Sequence, residues 1–418
     1  MRSRQSLKSK VIVIALLILA GEAVFILPFV LQRVFRPTFL ETFAITNTEL
    51  GFCFSVYGVV ALFSYLFGGP LADKFQPKNL MALALVLTAL GGIYLATFPS
   101  YTQLKFLYGY WGFTTIFLFW AAMIKATRIW GGKNRQGIAF GFLDGGRGLV
   151  AALFGALGVL VFSSVIVGDI STSLLAERQA AFKHVIYASS VLVAFIGVLV
   201  FLFLKASTEE QDQVNHNLKW KDIKTLLHYR SVWLMMLIIL CAYVGYKATD
   251  LFSLYASEAM GYNEIASAKV GASMLFLRPV VGVCIGILAD RSRASLWLII
   301  GFLLAALSSV MLAFGAVLKG DTVLFIANIA CIAIGVYACR VLYFAILEEA
   351  HIPLALTGTT VGLVSVIGYT PEIFSGPLFG VLLDHSNKVL GLQQSFLVLA
   401  IFSSVGLLAS IAFYKLKK

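Results

Sequence analysis

Charge is scarce in this chain. Of its 418 residues only 12% are Asp, Glu, Lys or Arg, whereas 60% are hydrophobic and the mean hydropathy is +0.92. Soluble domains run near 25% charged, so a soluble globular fold is excluded and the bilayer is the solvent. Cysteine is also sparse, and Cys53, Cys241, Cys284, Cys331 and Cys339 all lie in apolar stretches, where a thiol acts as a small hydrophobe. This excludes a disulfide framework and a metal knuckle. No histidine among His184, His216, His228, His351 and His385 is deep in an apolar segment, which excludes an imidazole relay. The phosphate-loop pattern Gly-x-x-x-x-Gly-Lys-Ser/Thr is missing, which argues against an ATP-driven pump. No Ser/His or metal-ligand constellation falls in the apolar segments, so no enzyme, metal or cofactor is expected. Acids are scarcer than bases, 20 against 32, giving a net charge of +12. These bases lie between apolar segments and do not cluster with aromatics, so nucleic acid is not a partner.

What is present is a long series of apolar segments. With about 20 residues per span, twelve are counted. The first six cover residues 11–32, 47–72, 79–98, 103–127, 137–167 and 183–205, and the second six 231–256, 265–289, 295–318, 322–346, 355–383 and 393–414. The basic N-terminus precedes an apolar run that continues past Leu31 without a small-residue cleavage site, and reads as a first spanning helix, not a signal peptide. The polar stretch 206–230 is the longest interruption. The expected organisation is therefore an N-terminal six-helix bundle over 1–205, a linker over 206–230 and a C-terminal six-helix bundle over 231–418.

The end of the second span reads Gly69-Pro70-Leu71-Ala72-Asp73-Lys74-Phe75-Gln76-Pro77-Lys78, and half a chain later Gly286-Ile287-Leu288-Ala289-Asp290-Arg291-Ser292-Arg293 repeats the Gly-x-Leu-Ala-Asp-basic pattern. Repetition at that period indicates a duplicated fold. A carboxylate at a helix C-terminus meets the negative end of the macrodipole, which costs about 0.3–1 kcal/mol, so a positive partner is required. Lys74 and Lys78, Arg291 and Arg293, or the N-terminus of a helix from the other half are the candidates.

Both segments resemble the loop signature of the major facilitator superfamily, Gly-x-Leu-x-Asp-basic-x-Gly-basic-basic, although Gln76, Pro77 and Arg293 depart from it. The segment Trp130-Gly131-Gly132-Lys133-Asn134-Arg135-Gln136-Gly137 is similar to a loop of organic-anion and sugar-phosphate permeases, and reads more readily as an interfacial tryptophan beside retained bases. The resemblance implies an all-α membrane protein of twelve transmembrane helices in two pseudo-symmetric six-helix bundles. It also implies alternating access around a midplane site. In that scheme Gly69, Asp73, Lys74, Gly286, Asp290 and Arg291 act in gating.

Positive residues are retained on the cytoplasmic face. The connections on the side of both termini, counted with the span ends that flank them, hold 20 Lys and Arg residues against 8 on the other side. Both termini are therefore expected in the cytoplasm, in a multi-pass inner-membrane protein surrounded by lipid and read as a monomer. Glycines gather in the fifth span (Gly141, Gly145, Gly146, Gly148, Gly155, Gly158) and the eleventh (Gly362, Gly368, Gly376, Gly380), where small residues let backbones approach. Pro279 and Pro371 predict kinks.

The functional signal is buried charge. Glu22, Arg147 and Arg278 fall roughly 15–18 Å from the cytoplasmic boundary at 1.5 Å per residue, and Asp144, Lys247, Asp250, Arg340 and Glu372 lie at intermediate depth. A charge at mid-membrane costs at least ~2.5–3.5 kcal/mol, so such residues line a pathway or pair internally. Asp144 with Arg147, and Lys247 with Asp250, are spaced three apart on a common face, which suggests local pairs. Arg278 and Arg340 have no acid within a turn, so another helix or a bound anion must partner them. A guanidinium suits either role, because its fork grips a carboxylate or phosphate with two bonds.

Arg278, Arg147, Arg340, Lys247 and Tyr369 are accordingly candidates for binding substrate. Glu22, Glu372, Asp144 and Asp250 are candidates for carrying a coupled proton. Glu22 leads among the acids as a lone carboxyl midway through the first span. The function expected is secondary transport of a small organic anion, such as a sugar phosphate, an acidic sugar or a carboxylate, by ion-coupled symport or by antiport. The alternatives are proton-driven efflux of amphipathic drugs, which would use the acids, and a transporter-like ligand sensor.

Overall fold

The computed structural model describes residues 7–132, 134–165, 174–204, 220–262, 264–383 and 387–416. Regular structure among them is entirely helical. In a bilayer no water satisfies a backbone amide, and a helix closes those bonds within one segment. Among the described residues, eleven helical stretches are long and apolar enough to cross a bilayer, and Glu264–Arg291 is a further helix of spanning length.

We number the spans in chain order. In the first half, α1 runs Leu7–Phe25 and continues through Ile26–Val30 to Leu31–Val34; α2 is Asn47–Lys74 and α3 Pro77–Leu95. Next, α4 runs Tyr101–Gly112, Phe113–Trp120 and Ala121–Gly131; α5 is Gln136–Val165 and α6 Leu175–Phe203. In the second half, α7 runs from Arg230–Ala248 through Thr249–Leu251 to Phe252–Glu258, α8 is Glu264–Arg291, α9 Ala294–Ala313 and α10 Thr322–Leu342. The last two are α11, in the pieces Thr357–Gly368 and Pro371–Leu383, and α12, Lys388–Lys415.

Local chemistry sets the ends. Thr46 and Glu49 form a reciprocal capping box at the start of α2, with the Thr46 N–H donating to Glu49 Oε2 at 2.8 Å and the Glu49 N–H to Thr46 Oγ1 at 3.2 Å. Pro77 opens α3, where its missing N–H is no loss. Helix α6 begins at Leu175, earlier than hydropathy suggests, because its polar first turns are used: Arg178 pairs with Glu41 and Gln179 donates to the Thr42 carbonyl. Of the expected linker, residues 206–219 lie outside the described residues, and Trp220–His228 forms a short helix.

Two spans widen to π-helical turns. In α1 the stretch Ile26–Val30 contains Pro28, which cannot donate to the ladder. In α4 the stretch Phe113–Trp120 contains no proline, and Thr115 Oγ1 donates instead to the Trp111 carbonyl at 2.6 Å. Proline acts unevenly: α11 breaks before Pro371, as expected, whereas α8 runs unbroken through Pro279. At Pro371 the ring falls at a helix start, which tolerates it.

The chain divides into two compact units that do not follow the sequence halves. One contains Met1–Trp130, Leu149–Leu218 and Leu354–Leu363; the other contains Gly131–Gly148, Lys219–Pro353 and Val364–Lys418. Within the first, the start of α11 packs on the end of α2, and a Cβ on Gly69 would lie 2.5 Å from the Gly358 carbonyl oxygen. Within the second, the start of α5 packs on the end of α8, and a Cβ on Gly137 would lie 2.6 Å from the Gly286 oxygen. Only glycine permits such backbone contact, where lipid supplies no hydrophobic drive between helices. Phe63, Phe106, Val191 and Val323 are exposed, as befits side chains whose solvent is hydrocarbon.

Candidate functional site

The two repeated aspartates end their helices in matching surroundings. Asp73 is buried at the end of α2 and accepts from the Gly358 N–H at 2.9 Å, the Thr359 N–H at 2.7 Å and the Thr359 hydroxyl at 2.7 Å. Asp290, ending α8, accepts from the Gly137 and Ile138 N–H groups at 2.7 and 2.9 Å. Each carboxylate sits on the N-terminus of a helix from the other sequence half, where unsatisfied N–H groups and the positive dipole end offset the penalty at its own C-terminus.

The neighbouring bases do not supply that compensation. Lys74 is exposed beside the Phe75 ring, and Lys78 lies near Phe201. Arg291 is exposed, and Arg293 stacks at 4.1 Å over Tyr414. The cation that reaches Asp73 is Lys125, a buried residue of α4 whose Nζ is 3.5 Å from Asp73 Oδ1 and donates to the carbonyls of Ala72 at 3.0 Å and Asp73 at 3.3 Å. One turn later, Arg128 donates to the Thr357 hydroxyl. Lys125 falls within the apolar segment 103–127 and so does not stand out by hydropathy, and its three-residue spacing from Arg128 on one helix face is the signal that marks it.

The second constellation is a buried group of charges and tyrosines in α5, α7, α8, α10 and α11. Arg278 grips Asp144 with two nitrogens, Nε to Oδ2 at 3.1 Å and Nη2 to Oδ1 at 2.8 Å, and Arg340 donates from Nε to Oδ1 at 3.0 Å. Arg340 also lies 3.7 Å from the centre of the Tyr246 ring, and its buried Nη1 has no hydrogen-bond partner among the described residues. Glycine makes the approach possible: a Cβ on Gly148 would lie 3.0 Å from Arg278 Cδ, and one on Gly145 3.1 Å from the Pro279 backbone. Arg147 is buried and close enough to act electrostatically on Asp144 and Tyr343.

Beside this group, Lys247 Nζ is 2.7 Å from Glu372 Oε2, and the Tyr243 hydroxyl donates to Glu372 Oε1. The Tyr369 and Tyr343 hydroxyls are 2.8 Å apart, and the Tyr243 and Tyr369 rings meet edge to face at 4.7 Å. The local pairs expected from spacing give way to longer-range ones. Asp144 turns to Arg278 and Arg340, and Lys247 turns to Glu372. Asp250, exposed in the turn Thr249–Leu251, makes no ion pair among the described residues. Lys247 is engaged by Glu372 at 2.7 Å, and Asp250 is left exposed where the helix tightens into the turn Thr249–Leu251. Glu22 is buried in α1, in the other unit from Asp144.

The Major Facilitator Superfamily model matches residues 12–369. The chain belongs to that superfamily. Two relatives from Escherichia coli (strain K12) are the inner membrane proteins YqcE, 27% identical over 384 residues covering 88% of this chain and 86% of that protein, and YihN, 27% identical over 424 residues covering 98% and 96%. Among solved structures, the superfamily transporter FucP in the outward conformation has a TM-score of 0.71 at 19% identity over 95% of this chain and 99% of its own. The proton:xylose symporter XylE bound to 6-bromo-6-deoxy-D-glucose has 0.69 at 14% identity over 98% and 95%. As a superfamily member the chain is a multi-pass inner-membrane transporter and not an enzyme. The duplicated Asp73 and Asp290 segments, read above as the superfamily loop, are each held by a helix N-terminus of the opposite sequence half.

Proposed function

We propose that this transporter moves a small organic anion by alternating access, coupled to a proton or a counter-substrate, with both termini in the cytoplasm. The observation that carries the anionic reading is Arg340 Nη1, a buried guanidinium nitrogen without a hydrogen-bond partner among the described residues. A buried donor left unsatisfied costs about 1–3 kcal/mol, and more when charged, which an anionic oxygen would recover. Arg278 and Arg147 add positive potential, Tyr369 and Lys247 border the group, and Glu22 and Glu372 are the acids proposed to take up the coupled proton. The Asp73 and Asp290 contacts, with Gly69, Lys74, Gly286 and Arg291 around them, act as gates that break and re-form during rocking. The bias of Lys and Arg toward one set of connections supports the orientation.

The test is uptake into proteoliposomes of radiolabelled sugar phosphates, acidic sugars and carboxylates, with and without an imposed pH gradient. Accumulation of an anion that a neutral hexose does not inhibit supports the reading. A second reading, neutral-sugar symport, draws on the saturation of Asp144 by two arginines, which leaves the tyrosines as recognition groups. The fucose:proton symporter FucP and the proton:xylose symporter XylE share the fold. Uptake of a neutral hexose, with no competition from anions, would select it.

A further inference from the structure

Arg278 and Arg340 share one carboxylate but hold it differently. Arg278 spends two nitrogens on both oxygens of Asp144. Arg340 spends only Nε on Oδ1, rests its plane on Tyr246 and keeps Nη1 without a partner. Asp144 therefore has one strong clamp and one weaker, shared bond. The clamp is a planar two-bond pair with matching geometry, which a monodentate contact does not equal.

Resting on the anionic reading above, we propose that Asp144 is the transporter's own counter-ion for its substrate site. In the ligand-free protein it neutralises Arg340, and the substrate's anionic group takes its place there. Arg278 is the positioning residue that holds Asp144, and Arg340 is the residue that grips the ligand. The physical reason is the cost of a buried charge. Breaking a buried pair by removing one partner costs about 3–5 kcal/mol, so an arginine awaiting substrate in the membrane interior needs an internal anion. An anion held too well would exclude substrate. Arg340 meets both needs, because Asp144 occupies Nε while Nη1 remains open for the first contact of an incoming oxygen. The ligand then displaces Asp144 from Nε, takes the Nε and Nη2 edge of Arg340 in a two-bond grip, and leaves Asp144 to Arg278. Gly148 lets the Arg278 side chain lie along α5, where a Cβ would come within 3.0 Å of its Cδ, and so favours the clamp without touching the ligand.

The experiment uses full-length purified protein and measures melting temperature during titration with sodium acetate and with sodium sulfate, against sodium chloride at equal ionic strength. Acetate stands for a carboxylate ligand and sulfate for a tetrahedral one. The proteins are wild type, Asp144→Asn, Asp144→Glu, and Asp144→Asn combined with Arg278→Gln or with Arg340→Gln. Removing the internal competitor is expected to lower the half-saturating concentration of at least one anion about tenfold or more in Asp144→Asn. The gain persists with Arg278→Gln and disappears with Arg340→Gln, while Asp144→Glu, which keeps the competing charge, shows no such gain. Should Asp144→Asn alone fail to fold, the double variant with Arg278→Gln, which removes one charge of each sign, carries the comparison. A wild-type response that neither Asp144→Asn nor this double variant strengthens overturns the counter-ion assignment and leaves the anionic reading intact. Equal loss of the gain in both double variants overturns the division of labour between the arginines. Absence of any anion-specific response in every protein, with stabilisation by a neutral hexose, overturns the anionic reading itself.

Discussion

Thr359 meets the Asp73 carboxylate twice, through its backbone N–H and through its hydroxyl, each at 2.7 Å from Oδ2. The contact ties the end of α2 to the beginning of α11 and separates what a side chain contributes from what a helix N-terminus contributes. Asp73→Asn keeps the size but loses the charge that faces the dipole and Lys125. Conformational exchange is expected to suffer more than substrate binding, and Thr359→Val, which retains the N–H bond, should show a milder form of the same defect. Equilibrium affinity and turnover measured side by side check this, and lost affinity with normal turnover would contradict it.

Lys125 and Lys74 should differ sharply although both are near Asp73. Lys125→Met leaves the buried carboxylate without its cation and is expected to cost about 3–5 kcal/mol, while Lys74→Gln, at an exposed position, should stay within about 0.5 kcal/mol. Combining Lys125→Met with Asp73→Leu should recover part of the loss, because it leaves no unpaired charge. Chemical or thermal denaturation of the four proteins in one detergent decides the matter.

Arg278→Lys keeps a positive charge but cannot reproduce the two-bond grip on Asp144. The variant should fold and yet lose transport by about tenfold or more, since Asp144 would no longer be held in register for Arg340. Wild-type uptake and affinity in the purified lysine variant would remove Arg278 from the site.

Glu22→Gln tests coupling in the other unit. Exchange of labelled for unlabelled substrate needs only rocking of the loaded carrier, so it should survive, while accumulation driven by a pH gradient should vanish. Undiminished gradient-driven uptake would end the assignment. A loss of expression, stability and every transport mode together would instead identify Glu22 as a partner of a buried arginine, whose removal leaves a charge unpaired.

The spans, their number and the duplicated aspartate segments were legible in the sequence because a bilayer forces backbone bonding to be local, so hydropathy alone marks each helix. The requirement that Asp73 and Asp290 meet something positive was legible too, since it follows from the dipole of the helix each one ends. Which buried charges pair was not legible. Asp144 lies 134 positions from Arg278 and 196 from Arg340, and Asp73 lies 52 from the Lys125 Nζ that caps its carbonyl. Spacing along one helix pointed Asp144 to Arg147 and Lys247 to Asp250, whereas packing chose Arg278, Arg340 and Glu372. That choice depends on α5 and α8 approaching backbone to backbone at Gly145 and on Gly148 leaving room for the Arg278 side chain. Composition determined the solvent and the hydropathy pattern the number of helices, and only the tertiary structure decided the partners, because a charge in hydrocarbon takes whichever opposite charge the packing of helices brings within reach.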